Sequence, residues 1–163
     1  MAAKQGSESL TEPIAVQGYH LWWKIVSMVI CVFALSVSAY GLLISSGGYT
    51  ALGYLSFLAI PIIFPSAAYA VLALEVRVYS DRIERRRFRT KVVLYEEVER
   101  IHLSDSAPER VSVYEEGMSY YPAISIHNGL ADWRSLAEAL IAEIPDTVEI
   151  TGSEELKSEL VHA

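Results

Sequence analysis

IVSMVICVFALSVSAYGLLISSGGYTALGYLSFLAIPIIFPSAAYAVLAL, residues 25–74, runs fifty positions without an Asp, Glu, Lys or Arg. All 20 acids and all 13 bases of the 163-residue chain lie outside it, and the formal net charge is −7. A water-soluble surface carries charge throughout, so this stretch reads as membrane-embedded. It divides at SSGGYT (45–50), where Gly47-Gly48 breaks helical continuity. The flanking segments, 25–44 and 51–74, hold 20 and 24 residues. A helix needs about 20 residues to cross a hydrocarbon core of about 30 Å. The short link then predicts a helical hairpin, because lipid cannot satisfy an unpaired backbone.

The flanks carry the amphipathic residues expected at two membrane interfaces. Trp22, Trp23 and Lys24 stand at the start of the first span, and Tyr40, Tyr49 and Tyr54 surround the central turn. Pro61 and Pro65 each remove a backbone donor. With no charge nearby they read as the bend of a helix packed on its neighbour rather than as a ligand cavity. Ser66, Ala67, Ala70 and Ala73 allow close helix approach. Cys31, the one cysteine, excludes an intrachain disulfide and reads as a small apolar filler.

Orientation follows from the bases. The 45–50 loop has none, Lys24 precedes the first span, and Arg77 to Lys91 follow the second. Positive flanks stay inside, so the chain is expected as a multi-pass protein of the inner (plasma) membrane with both termini cytoplasmic. Val37-Ser38-Ala39 resembles a signal-peptidase site, but Glu8 and Glu12 in a long preceding segment do not fit an n-region. Residues 1–21, polar and without sustained periodicity, read as a flexible lead-in to a hairpin over 22–74.

Beyond residue 74 the pattern changes to period two. Val76 and Val78 alternate with Glu75, Arg77 and Tyr79, Ser80-Asp81 makes a turn, and a second run begins at Arg82. KVVLYEEVERIHLSD (91–105) reads as strand, polar step and strand, and VSVYEE (111–116) with SYYPAISIH (119–127) as a hairpin in which Pro122 marks an edge or bulge. Asp132 then caps a helix whose apolar residues, from Trp133 to Ile144, fall on one face before Pro145 ends it. Five or six strands and one amphipathic helix predict a curled antiparallel sheet covered by that helix over 75–145. The tail, 146–163, reads as a short strand and a frayed helix.

VRVYSDRIERR, then Leu94, Tyr95, Glu97, Val98 and Ile101 in the polar step, then ISIHNGLADWRSLAEALIAEIP resemble the bacterial pleckstrin-homology-like (PH-like) domains that follow a membrane hairpin. The resemblance covers Leu74 to Pro145. It implies a mainly-β barrel of about seven strands with a C-terminal capping helix, α+β overall once the transmembrane hairpin is counted. It implies little about activity, since the fold is a platform for grafted sites.

The basic stretch SDRIERRRFRTK (80–91) breaks the acidic balance. Residues 75–91 carry seven bases and three acids, net +4, whereas 92–163 carry four bases and fifteen acids, net −11. So acidic a remainder excludes nucleic-acid binding. Arg82, Arg85, Arg86, Arg87, Arg89 and Lys91 read as a topology signal and a non-specific contact for anionic lipid. Phosphoinositide-reading PH domains place bases around the first hairpin turn; this chain has Ser80-Asp81 there.

No P-loop, HExxH, GxSxG, CxxC or GxGxxG occurs. His20, His102, His127 and His162 show no spacing to a nucleophile or a metal trio, and Glu96, Glu97 and Glu99 read as a solvated step. The sequence therefore predicts no catalysis, no cofactor and no metal. It points to a non-enzymatic adaptor that presents a cytosolic domain to a protein partner or a second copy. The alternatives are an anionic-lipid sensor and a small accessory subunit of a membrane transporter or enzyme complex.

Overall fold

The computed structural model describes residues 12–44, 51–117 and 120–161, without the side chains of 51–56. The chain enters through β1 (Ala15–Gly18), rises in α1 (Leu21–Ile44), returns in α2 (Ala51–Leu72) and continues into β2 (Glu75–Val78). β1 and β2 pair antiparallel with Gly18 opposite Glu75, so the strands on either side of the two helices are hydrogen-bonded neighbours. β3 (Arg82–Arg86) and β4 (Lys91–Leu94) complete a sheet in the order β1-β2-β3-β4.

A single 3-10 turn at Tyr95–Glu97, the polar step of the sequence, leads into β5 (Val98–Ser104), β6 (Arg110–Glu115) and β7 (Ile124–His127). After α3 (Trp133–Glu143), β8 (Glu149–Gly152) returns parallel to β5, giving a second sheet in the order β7-β6-β5-β8. α4 (Glu154–Val161) closes the described chain. The architecture is α+β: a long apolar N-terminal helix, one antiparallel and one mixed sheet, and helices packed near the C-terminal end.

Alternation dictates the core. Val76, Val78, Ile83 and Val93 of the first sheet, and Ile101, Val111, Val113, Ile124 and Ile126 of the second, are completely buried. α3 adds Leu136, Ala137 and Leu140 from the stripe its spacing predicts. Its cap is Asp132, whose side chain accepts from the Ser135 N–H at 3.4 Å.

Two expectations change. The lead-in does not stay irregular up to residue 21, because Ala15–Gly18 forms β1; residues 1–11 lie outside the described residues. Four residues are too short to show a period, and the strand is specified by its partner's backbone. The tail joins the domain as well: Leu156 and Leu160 of α4 are buried in the same core, which therefore extends past residue 145. The expected turn at 45–50 lies outside the described residues.

α1 is long and apolar enough to cross a membrane. Only Ala34 and Ser38 of its side chains are buried, while Val29, Val32, Phe33 and Leu43 are exposed. α2 runs through Pro61 and Pro65 and packs on α1. Gly41 permits the contact, since a Cβ there would overlap the Phe57 ring.

Candidate functional site

The basic stretch divides in two. Arg82 is engaged inside the domain: its Nε donates to Glu84 at 3.0 Å, its Nη1 donates to Asp81 at 3.0 Å, and its guanidinium lies 4.2 Å from the Tyr79 ring centroid. The hydrogen bond to Glu84 raises its pKa further above the ordinary arginine value. Glu84 is itself buried, so this pair is structural. Lys91 is engaged too, with Nζ 2.6 Å from a Glu115 carboxylate oxygen on β6. Arg85 shares the inward parity of Ile83 and is half-buried, with a buried Nε that has no hydrogen-bond partner among the described residues.

The strand ends at Arg86, and that early end frees the next side chains from the ladder. Arg86, Arg87, Phe88 and Arg89 are exposed on the β3–β4 tip, with Arg86 only loosely paired to Glu84 at 3.9 Å. Phe88, despite its exposure, packs with its ring tilted 40° against Tyr69, 5.4 Å between centroids, in the last turn of α2. Three exposed arginines and a phenylalanine are thus held beside the end of an apolar helix.

The expected interface residues fall into two levels. Trp22 and Trp23 are exposed in the first turn of α1, next to Lys24, and Tyr40 is exposed far along the same helix. At about 1.5 Å per residue, Trp22 and Tyr40 are roughly 27 Å apart along the axis, close to a hydrocarbon thickness. Tyr49 and the side chain of Tyr54 lie outside the described residues.

A concavity of about 570 Å³ lies where the helices meet the second sheet. Trp23, Val26, Ser27 and Ile30 line it from one face of α1, and Val71 closes it from α2. Its other wall is Tyr19 and the turn after β7, His127-Asn128-Gly129. Backbone bonds tie that turn to the start of α1: His20 N–H donates to Gly129 O at 3.4 Å, and Ala131 N–H to Gly18 O at 2.9 Å. The Gly129 N–H donates to His127 Nδ1 at 3.1 Å, and the imidazole lies 5.7 Å from the Tyr19 ring. Burial, and then Arg110 opposite it across the β6–β7 ladder, hold His127 below its usual pKa. With Nδ1 accepting, the proton of the neutral ring resides on Nε2.

Sequence reasoning missed this cleft. His127 reads as a strand histidine and Tyr19 as part of a lead-in; nothing local links positions 108 residues apart. Of the other expected groups, His102 Nδ1 lies 3.3 Å from Thr151 Oγ1 across the β5–β8 pair, and Glu96, Glu97 and Glu99 are exposed. Among the described residues no group of three His, Cys, Asp or Glu could hold a metal ion. No family model, no curated protein and no solved structure matches this chain.

Proposed function

We propose that this chain is a membrane-anchored, non-enzymatic interaction module. In this reading α1 and α2 form a transmembrane hairpin with both termini in the cytoplasm, and the sheet domain is a PH-like platform presented to a protein partner. The carrying observation is the β1–β2 pairing around the helices. A flexible tether would let a domain tumble; adjacent strands of one sheet entering and leaving the helix pair fix the platform's orientation. The exposed apolar surface of α1 supports a lipid environment, since a face of that size would not be left to water. Two four-stranded sheets, with α3 against β1, β2 and β7, support the PH-like reading. Tyr120 and Tyr121, 93% and 81% exposed, are aromatic anchors of the kind that protein interfaces use.

The test is cysteine accessibility on the full chain in a Cys31→Ser background. Ser158→Cys should react with an impermeant maleimide only after the membrane is opened; labelling in intact cells overturns the topology. Mass determination in mild detergent should give a species heavier than one chain with its detergent, and a lone chain overturns the adaptor role.

The Phe88–Tyr69 contact favours a second, compatible reading, in which the β3–β4 tip rests on anionic headgroups.

A further inference from the structure

We propose that the cleft between α1, the end of α2 and the turn after β7 binds one phospholipid of the cytoplasmic leaflet. The acyl chain lies along α1, and the phosphate sits against Tyr19, His127 and Asn128. The inference rests on the membrane reading and deepens it by assigning a ligand to a place.

Three observations select this occupant. First, the cleft is amphipathic along its length. Trp23, Val26 and Ile30 give an apolar floor about 10 Å long at 1.5 Å of rise per residue, and the other wall carries a phenol, an imidazole and a carboxamide. Second, the floor continues as the exposed apolar surface of α1, from Val29 to Phe33, so the groove opens onto whatever surrounds that helix. A chain of lipid reaches the floor from the side without crossing water. Third, the polar end suits an anion. The Gly129 N–H occupies Nδ1 of His127, which leaves Nε2–H as a donor, and Arg110 stands opposite His127 in register. A donor-bearing polar rim above an apolar groove matches a phosphate on a hydrocarbon chain better than it matches a free anion or an apolar peptide.

The test uses the full chain, extracted in mild detergent from vesicles of phosphatidylcholine and phosphatidylglycerol and read by native mass spectrometry. The wild type should retain one phospholipid per chain. Ser27→Trp, which fills the floor and leaves the rim intact, should reduce that retention about tenfold. Leu43→Trp, the same bulk at an exposed position near the far end of the same helix, should leave it unchanged. His127→Ala should weaken retention of phosphatidylglycerol, and inorganic phosphate alone should give no adduct. Equal retention by the two tryptophan variants, no lipid on the wild type, or a polypeptide in its place overturns the assignment, and so does a phosphate adduct without lipid. These outcomes are separate from failure of the anchor reading, which is partition of the unmodified chain into the aqueous phase.

Discussion

Ser38 of α1 donates its hydroxyl to the carbonyl of Phe57 on α2 at 2.7 Å. Phe57 stands four residues before Pro61, whose missing N–H would otherwise have served that carbonyl along the helix. Ser38 is 3% exposed, a buried polar group in a charge-free stretch, and the freed carbonyl is its partner. An apolar environment demands such matched pairs. Ser38→Ala should therefore destabilise the packing of α1 on α2 by about 1 kcal/mol. Ser36→Ala is the control, because among the described residues Ser36 bonds within its own helix, to Val32 O at 2.8 Å, and is exposed. Unfolding in a detergent series reads both; equal midpoints for the two variants would remove the role assigned to Ser38.

Gly18 ends β1 at the point where sheet gives way to helix. A Cβ there would lie 2.9 Å from the Leu74 carbonyl oxygen, closer than real side chains approach, so the backbone of β1 and the segment between α2 and β2 can touch only at glycine. Gly18→Ala should push β1 off β2 and cost about 1–3 kcal/mol by overpacking. Thermal unfolding gives the loss, and faster proteolysis near residue 18 identifies β1 as the element displaced. A drop in stability without that cleavage would place the strain elsewhere. A fragment beginning at Glu75 lacks β1 altogether, and β2 becomes an open sheet edge.

Legibility in the sequence tracks the range of the interaction concerned. The apolar run that forms α1 is a local property of composition, and α3 announces itself through Asp132, its stripe and Pro145. The inward valines and isoleucines of β2, β5, β6 and β7 obey an alternation visible in a few residues. β1 is illegible because its four residues carry no period and depend on β2, about sixty positions later. The parallel return of β8 to β5, and the stitching of Gly18 and His20 to the turn after β7, are pairings across long sequence separations. The six expected lipid-contacting bases are legible as a cluster but not as individuals. Whether Arg82 or Arg87 is free depends on where Glu84 sits, and that is a matter of strand register.

Tyr95 offers a test with a pH signature. Its hydroxyl donates to the Tyr79 carbonyl at 2.7 Å, linking the polar step to the end of β2, and the residue is 4% exposed. Burial first, then the negative charges of Glu143 and Asp81, push its pKa far above the ordinary phenol value of 10.0. The unfolded phenol ionises first, so above that ordinary value the unfolded state binds fewer protons than the folded one. This contribution to stability is full below pH 10 and falls as the pH rises through the raised folded value. Tyr95→Phe should cost about 1–2 kcal/mol at neutral pH through the lost bond and should flatten the alkaline decline. Denaturant titrations from about pH 8 upward check both parts, and an unchanged alkaline slope would assign that decline to other tyrosines.

The β3–β4 tip separates membrane contact from structural ion pairing. Arg87 and Arg89 are exposed on either side of Phe88, while Arg82 and Lys91 are held by Glu84 and Glu115. If the tip meets an anionic leaflet, each exposed arginine contributes about 1 kcal/mol of attraction that salt screens. Arg87→Ala with Arg89→Ala should then lift the tip in nanodiscs of anionic lipid and leave the fold intact, whereas Lys91→Ala should lower thermal stability instead. A spin label at Thr90, in a Cys31→Ser background, reads the distance to the lipid phosphates. In the parent it should sit at headgroup depth at low salt and move outward at high salt, and in the double variant it should start outward. Phe88→Ala separates charge from anchoring, because loss of the ring on Tyr69 frees the loop from α2 while leaving both cations in place. A label whose depth ignores salt and both sets of changes would assign the arginines to topology alone.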